Sequence, residues 1–267
     1  MDPRSGITRR EALHGAARAA LLLAVAGGSA ACADRSSPRG SSAAPGTGDA
    51  ADATSGAPSA IPTGPLAWTS VEQTDAAFPV NVSVLVRGDQ AVLVDAGHEG
   101  SVDSIGTALT GVGVGWESVR YVILTHRHDD HTSGLAEVLE RAPAAVPMAA
   151  ELEVPEIVSP RPITPLRDGD EVFGLKIIDS PGHTQGTISV YDPQARLLVA
   201  SGAMSRLGSR QGGGLVGSNP AGTFDQPQAA DSIRRLADLD VRTVLFGHGK
   251  PLTKGADRAI DDLAASL

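Results

Sequence analysis

The sequence predicts a mixed α/β fold in which sheets are covered by helices. Three observations predict it. Short runs of β-branched and aliphatic residues recur from residue 80 onward. Segments with apolar residues at helical intervals lie between them, and Gly or Pro separates one element from the next. Hydrophobic residues make up 41% of the 267 positions but aromatic ones only 3%, so the core has to be built from Ala, Val, Leu and Ile.

Residues 80–97, VNVSVLVRGDQAVLVDAG, read as a hairpin of two strands around Gly88-Asp89. VDSIGTALTGVG follows as a short helix, and VRYVILTH as a buried strand. TSGLAEVLERA places Leu135, Val138 and Leu139 at helical spacing. VPMAA is a short strand. EVFGLKIIDSPGH, GTISVYDP and ARLLVASGA are consecutive strands punctuated by Gly or Pro. QAADSIRRLADLD is amphipathic, with Ile233, Leu236 and Leu239 on one side; VRTVLFGHG is another buried strand, and a last helix starts near Ala256.

Ahead of this body lie two segments that do not belong to the fold. Residues 1–33 read as an export signal, with Arg9 and Arg10 at a basic start and an apolar stretch over 19–26 that is too short to span a bilayer. TRREAL resembles a twin-arginine signal, whose cargo crosses the membrane folded; a general secretory leader is the alternative. SAAC resembles a lipoprotein processing site, in which Cys32 becomes the lipidated N-terminus and tethers the protein to a membrane. It departs from that pattern at Ser29, and cleavage after ACA would instead release a soluble periplasmic or extracellular protein. Residues 34–66 are rich in Ser, Gly, Ala and Pro and read as a disordered tether, with a reach of about 30 Å. The domain proper is expected over residues 67–267.

Cys32 is the only cysteine, which excludes an internal disulfide and any thiolate ligand or nucleophile in the body. The net charge is −9. Four of the basic residues, Arg4, Arg9, Arg10 and Arg18, lie in the leader against two acids, so the body is more acidic still. Such a surface repels phosphate backbones, and nucleic acid is not an expected partner. The expected partner is a small-molecule substrate.

The chemistry gathers at strand ends. AVLVDAG ends at Asp95, YVILTH at His126, KIIDSPGH leads to His183, and TVLFGHG ends at His248. Five of the six body histidines fall in such clusters and only His98 is left over. Loops at strand ends on a rigid scaffold are where sites are built. Within LTHRHDDH, His126 and His128 can point the same way and share one metal ion; Asp130 and His131, where the chain turns into a helix, can face a second. His183 and His248 would complete one site each.

LTHRHDDH, SPGHTQG, LFGHGKP and the early VLVDAG resemble the motifs of the metallo-β-lactamase superfamily, in that family's order, over about residues 78–252. The resemblance implies an αββα sandwich with two mixed sheets flanked by helices and a metal centre at one edge. It implies a first site of His126, His128 and His183 and a second of Asp130, His131 and His248, with Asp95 orienting a ligand and Asp129 solvated. The chain departs from the family where many members carry a metal-bridging Asp after a Gly: here Gly202 is followed by Ala203. That departure argues against the glyoxalase II, lactonase and persulfide dioxygenase branches. One β-lactamase subclass also lacks the bridge and has the same remaining ligands.

The resemblance therefore implies one or two zinc ions, the second held more weakly, and hydrolysis of a small ester, thioester, lactone or amide carbonyl. Zinc lowers the pKa of its water to about 7, and Asp130 is the expected residue to orient that water and take its proton. The rival readings are a β-lactamase and a metal-binding member without turnover. The Gly-rich stretch 205–224 is a candidate substrate loop, and the Pro-rich stretch 155–165 a candidate wall of the site.

Overall fold

A computed structural model describes residues 62–74, 79–206 and 214–267. The expected leader over 1–33, Cys32 within it, and all but the last five residues of the expected tether lie outside the described residues. Among the described residues no helix is long and apolar enough to cross a membrane.

The first sheet is built from six strands in sequence order: β1 (Ala67–Gln73), β2 (Val80–Arg87), β3 (Gln90–Val94), β4 (Val119–Leu124), β5 (Val146–Ala150) and β6 (Thr164–Leu166). The pairs β1–β2 and β2–β3 are antiparallel, and β3 to β6 run parallel. Helix α1 (Val102–Gly111) bridges β3 to β4, helices α2 (Asp129–Thr132) and α3 (Leu135–Arg141) bridge β4 to β5, and a single 3₁₀ turn over Val154–Glu156 lies between β5 and β6. The second sheet contains β7 (Glu171–Val172), β8 (Leu175–Asp179), β9 (Ile188–Asp192) and β10 (Leu197–Val199) in antiparallel succession. A small ribbon of β11 (Met204–Ser205) and β12 (Val216–Gly217) follows, then α4 (Gln226–Ala237), then β13 (Thr243–Leu245), which joins the second sheet parallel to β10. Helix α5 (Ala256–Ser266) closes the chain.

Strand side chains alternate between faces, and that alternation makes the layers. Val82, Val84, Leu93, Val122 and Leu124 turn outward and pack with Ile105 and Leu109 of α1 and Leu135 and Val138 of α3. Leu85, Val92, Val94 and Ile123 turn inward against Ile177, Ile188, Val190, Leu197 and Leu245 of the second sheet. The outer face of that sheet, with Ile178, Tyr191, Leu198 and Val244, is covered by Ile233 and Leu236 of α4 and Ile260 of α5. The order helix, sheet, sheet, helix is thus the expected αββα sandwich. Helix α4 starts where the side chain of Asp225 accepts from the Gln228 N–H and Pro227 occupies the first turn.

Three local details differ from the sequence reading. Strand β1 was not expected. Residues 164–166, which overlap the end of the Pro-rich stretch 155–165, form the edge strand β6, where a proline costs no ladder bond. The chain also engages the domain slightly before residue 67: the Gly64 carbonyl accepts from Arg87 Nη1 at 3.1 Å, and Leu66 packs on the inter-sheet core.

At the edge of the sandwich where β2 and β9 end, Arg87 meets Asp192 across the two sheets. The two side chains are 5% and 0% exposed. Asp192 also accepts from the backbone N–H groups of Gln194 and Ala195, both at 2.8 Å, which shapes the β9–β10 turn. Removing one partner of a buried pair strands the other charge. Asp192→Asn is expected to destabilise the domain by about 3–5 kcal/mol, read by chemical denaturation. Asp240→Asn, at the exposed Arg196–Asp240 pair, should leave the unfolding midpoint nearly unchanged. Equal effects of the two would refute the pinning role of Arg87–Asp192.

Candidate metal centre

The ends of β4, β8 and β13 bring five histidines together at one edge of the sandwich. Strand β4 delivers His126, and His128 follows at the entry to α2, whose first turn carries Asp130 and His131. His183 sits on the β8–β9 loop, where Gly182 has φ +126° and a Cβ would lie 2.2 Å from the Ala229 nitrogen. Only glycine lets α4 pack that closely behind His183. His248 follows β13. Asn81 of β2 holds that segment by donating to the carbonyls of Phe246 at 2.9 Å and Gly249 at 2.7 Å.

The side chains fall into two groups of three. One ligand atom from each of His126, His128 and His183 lies within 4.8 Å of the others, and the same holds for Asp130, His131 and His248. Ring centroids in the first group are 4.7–4.8 Å apart. Asp130 Oδ2 is 3.6 Å from His131 Nε2 and 3.4 Å from His248 Nε2. The groups adjoin, with the His126 and His131 rings 4.2 Å apart. Asp129 is exposed and belongs to neither.

Four of the five imidazoles have Nδ1 bonded to the protein, which turns Nε2 toward the cluster. His131 Nδ1 donates to Asp95 Oδ2 at 2.8 Å. His126 Nδ1 meets Thr125 Oγ1 at 3.0 Å, and His248 Nδ1 donates to the Pro79 carbonyl at 2.7 Å. His183 Nδ1 is 3.0 Å from Ser218 Oγ, whose own proton goes to the Gly202 carbonyl at 2.7 Å. Asp95, with its backbone at φ +67°, also accepts from the N–H and hydroxyl of Thr125 and from the Ser201 hydroxyl. Asp95 is thus a buried acceptor shared by His131, Thr125 and Ser201.

Electrostatics favour the neutral ligand form in four of the five imidazoles. Burial pushes His126 well below the usual histidine range, and the neighbouring imidazoles push it further. His183 falls to about 3, chiefly through burial and then through His128, His131 and His248. Burial also lowers His128 and His248. For His131 burial again lowers the pKa, but the charge and hydrogen bond of Asp95, aided by Asp130, outweigh it and the net shift is upward. A metal ion needs the lone pair of a neutral imidazole. His126 Nε2 is the sharpest sign of fit: it is buried, faces the cluster and has no hydrogen-bond partner. An orphaned buried nitrogen is costly unless something fills it, and a dication among these donors would.

A cavity of about 180 Å³ opens over both groups, lined by His128, Asp130, His183 and His248 and walled by Met204, Ser218 and Asn219. Part of the Gly-rich stretch 205–224 thus does line the site, while its residues 207–213 lie outside the described ones. A larger hollow of about 770 Å³, beside His98 and Ser101, touches none of the six candidate ligands.

The position read in the sequence as lacking a bridging carboxylate is apolar in its surroundings too. Ala203 is 1% exposed and packs into the apolar layer with Met204, Ile233 and Leu236, on a short helical turn over Ser201–Ala203 after β10. At the neighbouring Gly202 a Cβ would lie 2.5 Å from His183 Cδ2 and 3.4 Å from His126 Cε1, so glycine lets the imidazoles approach the backbone closely. Thr125, Ser201, Ser218 and Asn81 were missed; single hydroxyl or amide residues with no periodicity leave no signal in one sequence. Ala203→Asp is expected to bury a carboxylate among apolar side chains, costing about 3–5 kcal/mol, and to leave zinc affinity unchanged. Tighter zinc by calorimetry in that variant would show instead that a carboxylate at residue 203 reaches the metals.

A sequence model of the metallo-beta-lactamase superfamily matches residues 75–248. The uncharacterized protein YobT of Bacillus subtilis is 27% identical over 209 residues, 68% of this chain and 88% of YobT. The hydroxyacylglutathione hydrolase of Bartonella henselae is 34% identical over 135 residues, and the match spans 49% of either chain, about half of that enzyme. Among solved structures, the metallo-beta-lactamase family protein TTHA1429 from Thermus thermophilus superposes with a TM-score of 0.59 at 23% identity, over 75% of this chain and 78% of that one. TTHA1623, solved in a di-iron-bound form, gives 0.57 at 25% identity, over 70% and 96%. The family match covers well over half the chain and the fold agrees with it: this chain belongs to the metallo-beta-lactamase superfamily.

Proposed function

We propose that the protein is a zinc-dependent hydrolase acting on a small ester, thioester, lactone or amide, exported and held at the cell envelope. The observation that carries the reading is the convergence of two three-residue donor groups, His126/His128/His183 and Asp130/His131/His248, on one small cavity. The donor set is nitrogen-rich with one carboxylate and no thiolate, which suits zinc; the di-iron form of TTHA1623 makes iron the alternative to test. With zinc bound by these residues, hydroxide would be available at neutral pH and the substrate carbonyl would be polarised.

The chain's own residues do the rest. Asp130 lines the cavity and is the acid–base group: its carboxylate orients the attacking water and accepts its proton. Asp95 and Ser218 hold the imidazoles in the tautomer that leaves Nε2 available. Met204, in the cavity wall, gives an apolar contact for the acyl part, and Ser218 and Asn219 bring polar groups to it. The described walls enclose less than the roughly 300–1,000 Å³ of sites for drug-sized ligands, which favours compact substrates.

Two experiments test the reading. Zinc content and hydrolysis of p-nitrophenyl acetate are measured in the wild type, His128→Ala and Asp129→Ala. His128→Ala should lose at least about 100-fold in activity, near the upper end of what even an outer contact to a metal ligand costs, together with bound zinc; Asp129→Ala should keep both. In the wild type, rates should fall as the acyl chain lengthens. If the two variants behave alike the ligand set is wrong, and if β-lactams are the better substrates the small-ester reading is wrong. For export, a fusion of residues 1–66 to a reporter is expected in the membrane fraction, with Cys32→Ala released or left unprocessed. A fusion that stays in the cytoplasm refutes that part.

A further inference from the structure

Glu153 lies just past β5 and touches none of the six candidate ligands, yet its side chain is 0% exposed. One oxygen, Oε2, accepts from the backbone N–H of Arg127 at 2.8 Å. The other, Oε1, accepts from the backbone N–H of Gly186 at 2.8 Å and from Arg127 Nη1 at 3.1 Å. Arg127 is the residue between His126 and His128. Gly186 is in the loop that begins at His183 and returns to β9. One carboxylate therefore joins the two segments, from different sheets, that carry all three members of the first group.

We infer that Glu153 is a positioning residue that sets the mutual placement of His126, His128 and His183, so that the first metal site depends on it while the second does not. The inference rests on the ligand reading above. Its chemistry is specific to a carboxylate. All three partners are donors and they divide between the two oxygens, so a glutamine in either flip would aim an NH₂ at an N–H. The approach is also specific to glycine at 186, where a Cβ would lie 2.8 Å from Glu153 Cγ and 2.9 Å from Oε1. The second group hangs from other supports: Asp95 for His131, and Pro79 and Asn81 for His248 and its flanks.

The test isolates each site. In a His248→Ala background only the first site is complete, and in a His128→Ala background only the second. Zinc affinity of the metal-free proteins is measured by competition with a chromophoric chelator, with circular dichroism as the check on folding. Glu153→Gln should weaken zinc by about 10–100-fold in the His248→Ala background and by less than about threefold in the His128→Ala background, where a generally loosened domain would lose both. Gly186→Ala should reproduce the pattern, and it carries the test if Glu153→Gln does not fold. Arg127→Met, which keeps the backbone N–H, should stay near the parent affinity. Equal loss in both backgrounds, or no loss at the first site, overturns the inference. Absence of zinc from the wild type and both backgrounds refutes instead the ligand reading on which it rests.

Discussion

One carboxylate, Asp95, ties both halves of the centre to the scaffold. It takes the Nδ1 proton of His131 directly, and it reaches His126 through Thr125, whose hydroxyl lies between them. The Ser201 hydroxyl adds a further bond from the end of β10, so both sheets contribute. Buried acceptors need such donors, and here each donor is a side chain or backbone group whose place also fixes a candidate ligand. The left-handed backbone at Asp95 is the local cost, tolerable for an aspartate with its short polar side chain.

Around that hub the sandwich supplies rigidity and dryness. The β-strands stop at one edge, and their last polar residues enter a common space while the apolar residues behind them fill three layers. Burial then has a chemical consequence. Imidazoles that are packed together and removed from water resist protonation, so their lone pairs are ready for a cation. Only His131, pressed against Asp95, shifts the other way. The same dryness leaves His126 Nε2 without a partner, which is tolerable in a site made to be filled.

The histidines and Asp130 were legible because the chemistry leaves a dense local signature: LTHRHDDH, and two Gly-flanked histidines after apolar runs. The strands and helices were legible because apolar runs survive in residues 82–86 and 91–94 and helical spacing in 233–236, whereas the αββα layering came from the resemblance of the histidine motifs. What supports the ligands was not. Thr125, Ser201, Ser218, Asn81 and Glu153 act through contacts between residues as far apart as Asn81 and Gly249, and a lone sequence carries no trace of such pairings. At residue 203, likewise, only the turn after β10 shows that the alanine packs among apolar side chains.

We propose that the two adjoining groups of three side chains are the zinc sites of this protein. Diffraction data collected on either side of the zinc absorption edge, from crystals of the purified protein supplied with zinc, test it most directly. Two anomalous peaks are expected, one among His126, His128 and His183 and the other among Asp130, His131 and His248. A single peak at saturating zinc, or peaks away from these residues, would contradict it.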